Sequence, residues 1–476
     1  MKRQNLILLA DAYKYSHHKL YYPGTTNVYS YLESRGGKFD QTVFFGLQYI
    51  LKEYLEGTVI TTEDIDEAEK FLTEVFGRTD VFDRSRFDYI VERHGGRLPI
   101  RIKAVPEGSK VPVHNVLMTL ENTDPKCFWL TNFLETLLMQ VWYPATVATL
   151  SHEVRQVVEK AFTETADEES KGAIPFVLND FGFRGVSSVE SAGIGGAAHL
   201  LNFSGSDTLA GSRLIQQYYN STQVYGKSVP ATEHSICTLL GEEGELDIFR
   251  HVLNTFPEGI VACVSDSYNI LRACESYWGE ALKQQVLNRK GTLVIRPDSG
   301  DPVTTLLAVF EILFQQFGYT TNSKGYKVLP PQVRVIQGDG VNYDSICEIY
   351  QTLKEAQISA ENLVLGMGGA LLQKVDRDTQ KFALKCSWAR VKGHEVDVQK
   401  SPMELNKQGV LQPSFKKSKR GRLKLVEMDG QYRTVAENDY SAYADQLVTV
   451  FQDGELLKEY GFEEIKERLN QEVVLI

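Results

Sequence analysis

The chain has 476 residues, of which 42% are hydrophobic and 24% charged, and its formal net charge is −11. This length fits a barrel plus a smaller domain, and the acidic balance disfavours a general nucleic-acid or anionic-membrane surface. No apolar stretch approaches the roughly 20 residues of a membrane-spanning helix. The six cysteines show no Cys-x-x-Cys spacing. We therefore expect reduced, buried thiols in the cytoplasm rather than a disulfide framework or a zinc site.

Residues 1–150 mix short helices with strands that alternate between apolar and polar side chains. The predicted helices are Thr62–Phe76 and Cys127–Trp142, and the predicted strands are Asn27–Glu33 and an antiparallel set within Ile100–Leu120. A further helix is predicted at Ser151–Thr165. Mixed short elements of this kind are typical of an α+β domain. We predict that 1–150 forms the N-terminal part of one.

From 151 to 384 the chain repeats one unit, in which an apolar strand ends in a polar turn and a helical segment follows. The turns are rich in Gly, Asp and Arg and lie at Asn179–Gly185, Ser265–Ser267, Arg296–Asp301, Gln337–Gly340 and Gly366–Ala370. Repeated strand, turn and helix predict parallel strands whose following loops gather at one end. We therefore predict an α/β, barrel-like catalytic domain with one site assembled from several loops.

The turn after Leu293–Ile295 shows the pattern most clearly, with a guanidinium at Arg296 and a carboxylate at Asp298. Asp301 suits a helix N-cap and Pro302 suits the first helical position, so a helix is predicted to begin there. One such turn fits an ordinary helix cap as well as a ligand site. The repetition of the pattern at other strand ends favours the ligand site.

Residues 385–476 return to mixed strands and end in a charged helical segment. We predict that they pack back on the α+β domain. The cluster Lys416–Arg422 holds five basic residues, and it fits either a solvated loop or a binding site for a phosphorylated ligand.

Several side chains in these loops are of types that bind ligands or take part in catalysis. Glu233 and His234 pair a carboxylate with an imidazole, and the pair fits acid–base or nucleophilic catalysis as well as a structural role. Asp266, Asp298 and Asp339 fit helix caps, ribose hydroxyl acceptors or Mg²⁺ ligands.

The arginines at 184, 296 and 377 are candidates to bind a diphosphate, and the glycines at 338, 340, 366, 368 and 369 leave backbone N–H groups open to phosphate. The stretch Gly193–Ala198 is a weak dinucleotide fingerprint, and we interpret it as a closely packed helix.

Motifs spread over nearly the whole chain resemble those of the nicotinamide phosphoribosyltransferases, which are type II phosphoribosyltransferases. The matching segments are Asp11–Lys14, Phe45–Ile50, Glu121–Pro125, Asp180–Ser188, Ser228–Ser235, Val264–Tyr268, Ile295–Gly300, Arg334–Gly340 and Leu371–Lys374. The resemblance implies an irregular (β/α) barrel and a homodimer with shared active sites. It also implies the reaction of nicotinamide with phosphoribosyl pyrophosphate to nicotinamide mononucleotide and pyrophosphate, in NAD salvage.

The resemblance further implies a role for each site residue. Phe181, and Tyr13 from the partner subunit, would stack on the pyridine ring, while Asp207 would accept the carboxamide N–H. Arg184 and Arg296 would bind the diphosphate and Asp298 the ribose hydroxyls. The implied ligands of the nucleotide's ribose and 5′-phosphate are Gly338, Asp339, Gly368, Gly369 and Arg377. Arg35, Lys400 and Lys416 match positions through which the partner subunit adds positive charge to the phosphates.

The same resemblance implies that His234 is phosphorylated by ATP as an optional co-substrate, with Glu233 and Asp266 orienting it. Mg²⁺ would arrive with the diphosphate. A nicotinate phosphoribosyltransferase is the alternative, although Asp207 would repel a nicotinate carboxylate. An NAD-dependent oxidoreductase would need a glycine fingerprint directly after a strand, and this sequence lacks one. A non-catalytic sugar-phosphate-binding protein is disfavoured because Arg296, Asp298 and His234 are present together.

Overall fold

The computed structural model describes residues 4–413 and 418–471. They fall into two compact units, one made of 4–149, 217–221, 376–413 and 418–471 and the other of 150–216 and 222–375. The first unit takes in residues 376–384, which the sequence analysis assigned to the barrel-like domain. The reason is that the strand Phe382–Val391 pairs along its length with Thr25–Ser34.

The strands, in chain order, are β1 (Thr25–Ser34), β2 (Gln41–Val43), β3 (Ile100–Ala104), β4 (Lys110–Pro112), β5 (Val116–Asn122), β6 (Leu178–Asp180), β7 (Gly205–Ser206), β8 (Glu258–Val264), β9 (Lys290–Arg296), β10 (Thr320–Thr321), β11 (Lys327–Val328), β12 (Val333–Gln337), β13 (Leu363–Met367), β14 (Phe382–Val391), β15 (His394–Asp397), β16 (Met403–Leu405), β17 (Leu411–Pro413), β18 (Leu423–Met428), β19 (Gln431–Ala436), β20 (Val448–Gln452) and β21 (Glu455–Leu456). The longer helices are Thr62–Phe76, Arg84–His94, Trp142–Thr165, Val189–His199, Leu209–Tyr218, Glu245–Thr255, Pro302–Phe317, Tyr343–Glu355 and Phe462–Asn470.

Two helix predictions need correction. Cys127–Trp142 is not one helix but a series of short helical turns, among them Leu130–Phe133 and Glu135–Leu138, because Leu134 between them has a ψ of −3° and leaves the regular helix. The helix predicted from Ser151 begins at Trp142 instead. Pro144 lies in its first turn, where the missing N–H removes no helical hydrogen bond.

The first unit is built on a seven-stranded sheet with the order β15-β14-β1-β5-β3-β20-β21. Its neighbouring strands are antiparallel, and strands from both ends of the chain contribute to it. The sheet places Lys385 of β14 opposite Tyr31 of β1. Residues from the far end of the sequence are thereby fixed beside the turn that carries Arg35.

The second unit is built on a six-stranded sheet with the order β7-β6-β13-β12-β9-β8. Every pair of neighbours in it is parallel. The predicted parallel α/β arrangement is therefore confirmed. The carboxyl ends of all six strands lie at one edge, which is where ligands bind in folds of this class.

The segment 227–232 joins the two outer strands of this sheet. Lys227 pairs with Gly205 of β7, and Ala231 pairs with Ala262 of β8, both in parallel orientation. Backbone bonds from Ser206 N to Lys227 O, at 2.9 Å, and from Thr232 N to Ala262 O, at 3.0 Å, strengthen both junctions. The segment thus bridges β7 and β8, the two outer strands of the sheet, in the manner of a barrel. The residues that follow it lie where the carboxyl ends of the strands meet.

The helix Pro302–Phe317 follows β9 as predicted. The Asp301 side chain accepts a hydrogen bond from Thr304 N at 2.9 Å, and Pro302 occupies the first helical position. The Gly193–Ala198 stretch is helical, and it packs against the helix Leu209–Tyr218: a Cβ on Gly211 would lie 2.7 Å from the carbonyl carbon of Gly196. Its small residues serve close helix packing, as interpreted from the sequence.

Within the residues that the structure describes, no helix combines the length and the apolar character needed to cross a membrane. None of the six cysteines forms a disulfide within the described residues.

Candidate active site

The polar turns predicted from the sequence meet at the carboxyl-end edge of the parallel sheet. Each strand of the six-stranded sheet, and the joining segment, is followed there by candidate residues: Phe181 after β6, Asp207 after β7, Glu233 and His234 after 227–232, Asp266 after β8, Asp298 after β9, Gly338 and Asp339 after β12, and Gly368 and Gly369 after β13. Because the strands are parallel, residues far apart in number become neighbours.

His234 and two carboxylates form the most connected group at this edge. Nε2 of His234 lies 3.0 Å from Oδ1 of Asp266, and Nδ1 lies 4.0 Å from Oδ2 of Asp298. Oδ2 of Asp266 accepts hydrogen bonds from Asp298 N, at 3.1 Å, and from Ser299 Oγ, at 2.5 Å. The Asp266 side chain is 3% exposed whereas that of His234 is 49% exposed. A fixed, buried carboxylate therefore orients an imidazole that solvent can reach.

Arg296 is oriented by the second of these carboxylates. Its Nη2 and Nε donate to Oδ1 of Asp298 at 2.7 and 3.1 Å. A Cβ on Gly338 would lie 3.2 Å from Nη2 and 3.3 Å from the same Asp298 oxygen. The glycine therefore leaves room for the ion pair directly beside its backbone. Guanidinium and open backbone together make an anion-binding surface.

Phe181 lies beside Arg296 on an apolar base. The Arg296 Cζ is 5.4 Å from the centroid of the Phe181 ring, a cation–π distance. Below the ring, Phe181 packs against a buried cluster of β8, β9 and β12 residues consisting of Ala262, Val294 and Ile336. At Gly366 of β13, an added Cβ would lie 2.1 Å from Cε2 of the ring. The aromatic face is thus held in one position by strand residues.

Asp207 follows β7 and is tied to the strand that precedes Phe181. Asp207 N donates to Asp180 O at 3.0 Å, and the Ser228 hydroxyl donates to Oδ1 of Asp207. Burial raises the pKa of Asp180 to about 6, and the nearby Asp207 carboxylate adds to the effect. Ser228 therefore fixes the Asp207 carboxylate, whereas the neighbouring Asp180 carboxyl group keeps its proton to a higher pH than an ordinary aspartate.

The remaining residues of the second unit lie around this group. The Glu233 carboxylate accepts a hydrogen bond from Ser235 Oγ next to the imidazole. Arg184 is exposed in the turn after Phe181, and a Cβ on its neighbour Gly185 would lie 3.4 Å from Cα of Gly369. Asp339 is exposed, and its carbonyl accepts from Gln337 Nε2 at 2.8 Å. These turns are therefore adjacent.

The first unit collects a separate group of basic residues. Burial lowers the pKa of the Lys385 ammonium, and the charges of Arg35, Lys400 and Arg377 lower it further against the opposing effect of Glu135. Arg35 donates from Nε to Glu33 Oε1 at 2.8 Å, while its buried Nη2 has no hydrogen-bond partner among the described residues. The basic side chains around Lys385 therefore outnumber the carboxylates named here. Lys416, which is also predicted to bind phosphate, lies outside the described residues.

Tyr13 is also in the first unit and is 60% exposed. Its ring makes an edge contact with His17 at a centroid distance of 5.0 Å. An aromatic face so open to solvent is available to a partner.

Sequence reasoning missed Lys385, Gly366 as the support of Phe181, and Ser299 as a donor to Asp266. A charged residue inside the otherwise apolar alternation of Phe382–Trp388 is the signal that identifies Lys385. Gly366 and Ser299 carry no such signal, because their partners lie on other strands.

Comparisons with known proteins identify the family to which the chain is similar. The Nicotinate phosphoribosyltransferase (NAPRTase) family matches residues 176–455, and the Nicotinamide phosphoribosyltransferase, N-terminal domain, matches residues 5–102. A nicotinamide phosphoribosyltransferase of Xanthomonas campestris pv. campestris is 50% identical over 470 residues, covering 97% of both chains. One from Acinetobacter baylyi is 32% identical over 508 residues, covering 99% of this chain and 98% of the relative.

Solved structures show the same fold at lower identity. A nicotinate-nucleotide pyrophosphorylase from Pyrococcus furiosus aligns with a TM-score of 0.59 at 15% identity, covering 98% of this chain and 97% of its own. Human nicotinic acid phosphoribosyltransferase aligns with a TM-score of 0.55 at 16% identity, covering 97% and 93%. The type II phosphoribosyltransferase fold implied by the sequence motifs is therefore confirmed.

Proposed function

We propose that this chain, which belongs to the nicotinate phosphoribosyltransferase family, is a nicotinamide phosphoribosyltransferase of NAD salvage. The reaction joins the pyridine nitrogen of nicotinamide to C1′ of phosphoribosyl pyrophosphate and releases pyrophosphate. The observation that carries the proposal is the position of Phe181 and Asp207 at the same strand edge as Arg296 and Asp298. An aromatic surface with a hydrogen-bond acceptor there adjoins an anion-binding surface.

Phe181 and Asp207 recognise nicotinamide in this proposal. The Phe181 ring stacks on one face of the pyridine, and such aromatic pairs contribute on the order of 1 kcal/mol. The Asp207 carboxylate, held by Ser228, accepts the carboxamide N–H. Nicotinate would bring a second carboxylate to the same place, and two like charges repel each other. The substrate is therefore the amide rather than the acid.

Arg296, Asp298 and the glycine turns bind phosphoribosyl pyrophosphate. The Arg296 guanidinium binds diphosphate oxygens, Asp298 accepts ribose hydroxyls, and the open backbone at Gly338, Gly368 and Gly369 binds phosphate. Mg²⁺ enters as part of this substrate. The carboxylates of Asp266 and Asp298 each lie within 4.0 Å of a ring nitrogen of His234, and carboxylates suit the waters of such an ion. As the ribosyl C1′–oxygen bond breaks, positive charge develops on the ribose, and catalysis consists of positioning and electrostatic stabilisation.

ATP acts as an optional co-substrate through His234. Nε2 is oriented by Asp266, and the half-exposed imidazole is accessible to a phosphate donor. Transfer of the γ-phosphoryl group to the ring adds negative charge beside Arg296 and Asp298. That charge changes how strongly the site holds substrate and pyrophosphate, which couples ATP hydrolysis to synthesis.

The active unit is a homodimer whose sites are shared between copies. Tyr13 of the partner subunit covers the second face of the pyridine, and Arg35, Lys400, Lys416 and Arg377 add positive charge to the phosphates. The exposure of Tyr13 and the shortage of anions around Lys385 support this arrangement. Six cysteines without a disulfide among the described residues fit a reducing compartment, and we place the reaction in the cytoplasm.

A product assay tests the proposal directly. The protein is supplied with Mg²⁺, phosphoribosyl pyrophosphate and an equal mixture of nicotinamide and nicotinate, with and without ATP. We expect nicotinamide mononucleotide as the main product. A preference for nicotinate mononucleotide would establish the alternative, a nicotinate phosphoribosyltransferase, and reject the assignment of Asp207.

A further inference from the structure

Two buried cysteines lie directly behind the His234 and Asp266 pair and have no part in the proposed reaction. Cys237 ends the short helix His234–Cys237, three residues after the imidazole. Cys263 lies in β8, three residues before Asp266. Both side chains are fully buried in the second unit. The two elements that hold the imidazole and its carboxylate thus each carry a thiol.

The two thiols share the same hydrogen-bond partners. The Cys237 thiol donates to Thr232 Oγ1 at 3.3 Å and to Val264 O at 3.2 Å. The Thr232 hydroxyl lies 3.7 Å from Cys263 Sγ, which is itself 3.6 Å from Val264 O. A hydrogen bond from the Cys263 thiol lowers the pKa of Cys237. This hydrogen bond favours the thiolate form of Cys237, which lies next to a second thiol.

We propose that Cys237 and Cys263 form a reversible disulfide when the protein meets a peroxide. The Cys237 thiolate attacks one peroxide oxygen, the O–O bond breaks, and the departing hydroxide takes up a proton to become water. The resulting sulfenic acid is attacked by Cys263. The S–O bond breaks, the S–S bond forms, and the leaving hydroxide takes the Cys263 proton as a second water. Two thiols are oxidised and one hydrogen peroxide is reduced.

The disulfide changes the geometry of the His234 site. Forming the S–S bond removes both S–H groups, so neither sulfur can then donate to Thr232 Oγ1 or Val264 O. We expect the Thr232 hydroxyl and the His234–Cys237 helix to shift when these contacts are lost. The hydroxyl also accepts from Val264 N at 2.9 Å, so the strand leading to Asp266 shifts as well. A displacement of about 1 Å in such a site costs roughly 10²-fold in rate.

Peroxide titration of the full-length protein tests the bond itself, independently of any activity. After treatment with hydrogen peroxide and alkylation of free thiols, we expect mass spectrometry to find a peptide with Cys237 linked to Cys263, lost again after dithiothreitol. Absence of this linkage at peroxide levels that oxidise other cysteines would overturn the proposal. Because this readout needs no substrate, its failure is distinct from a failure of the proposed function.

The activity arm uses nicotinamide mononucleotide formation with ATP present. We expect oxidation to lower the wild-type rate roughly tenfold or more, with recovery in dithiothreitol. Cys237→Ser and Cys263→Ala should both resist this loss. Cys347→Ser, which removes a more exposed thiol of the same unit, should remain as sensitive as the wild type. Equal sensitivity of all three variants would assign the effect to another residue and overturn the proposal.

Discussion

The ring of Phe181 lies against the backbone of Gly366, where an added Cβ would lie 2.1 Å from the ring's Cε2. Gly366 belongs to β13, whose neighbour Met367 accepts the backbone N–H of Phe181 at 3.0 Å. Both the position of the aromatic residue and the face it presents are thus set by one strand of the parallel sheet. The stacking surface for a pyridine is a consequence of strand pairing.

Replacing this glycine should therefore damage pyridine binding. Gly366→Ala must displace the Phe181 ring, and we expect the KM for nicotinamide to rise roughly tenfold through lost stacking, with a smaller change in the KM for phosphoribosyl pyrophosphate. Steady-state kinetics at varied nicotinamide measure this. Gly172→Ala is the matched control, since a Cβ there meets nothing within 4 Å. Equal KM values in both variants would contradict the role of the ring.

Removing the Asp207 carboxylate should weaken selection of the amide. Hydrogen bonds to charged groups contribute about 1.5–3 kcal/mol, so Asp207→Ala should lose roughly 10- to 100-fold in kcat/KM for nicotinamide. The loss for phosphoribosyl pyrophosphate should be much smaller. Ser228→Ala keeps the carboxylate and removes only the hydroxyl that orients it, so its effect should be milder. A parallel loss for both substrates of Asp207→Ala would place the residue outside the pyridine pocket.

Loss of the imidazole should separate ATP coupling from synthesis. His234→Ala should abolish stimulation by ATP and leave slow basal formation of nicotinamide mononucleotide, because the residues assigned to both substrates remain. Asp266→Asn should weaken the stimulation partly, since an amide orients the ring less strongly than a carboxylate. Initial rates with and without ATP measure both effects. ATP stimulation of His234→Ala equal to that of the wild type would eliminate the phosphohistidine.

Shared sites should reveal themselves by complementation. Tyr13→Ala and Asp207→Ala are each expected to be weakly active as homodimers. Mixing them under conditions that exchange subunits should restore activity, because half of the sites formed between unlike copies contain neither substitution. Activity is compared before and after exchange at constant total protein. If the mixture gives only the mean of its two components, Tyr13 does not act across a subunit interface.

The buried Glu107 should make stability depend on pH. Its Oε1 accepts Gln48 N at 2.7 Å, and burial raises the pKa of the carboxyl from 4.5 to about 7. Between these values the native state binds a proton that the unfolded state releases, so stability falls as pH rises through that range. The shift corresponds to about 3 kcal/mol.

The neutral variant Glu107→Gln should lack this pH dependence. We expect its Tm relative to the wild type to increase between pH 5 and pH 8, as measured by thermal melts at both values. Glu74→Gln, which alters an exposed carboxylate, provides the control. A Tm difference that stays constant with pH would show that Glu107 does not titrate in this window.

Local sequence signals predicted much of the second unit. Asp301 and Pro302 fix the start of the helix after β9 through a side-chain cap and a preset backbone angle, and both are properties of neighbouring residues. The apolar run before Arg296 predicted β9 for the same reason. Local signals failed at Cys127–Trp142, where Asn132, Thr136 and Gln140 recur at four-residue spacing and fit one helix. The segment instead folds into successive short turns, because Leu134 leaves the regular helix.

The candidate site was predicted as a set of residues but not as a set of contacts. The turns that carry Phe181, Arg296 and Asp298 were identified from strand-end chemistry. The joining segment 227–232, by contrast, forms two isolated bridges rather than a regular strand, so no alternation marks it. Lys385 was missed because its basic neighbours are brought to it by the pairing of β14 with β1.

The sequence by itself determined the class of fold, the order of strands and turns, and the family to which the motifs belong, because these depend on residues that are close along the chain or on motifs read in order. Only the tertiary structure decided that Asp266 orients His234, that Gly366 supports Phe181, and that two thiols lie behind the imidazole. Those contacts join residues separated by dozens to hundreds of positions. They exist only after parallel strands have brought their carboxyl ends to one edge.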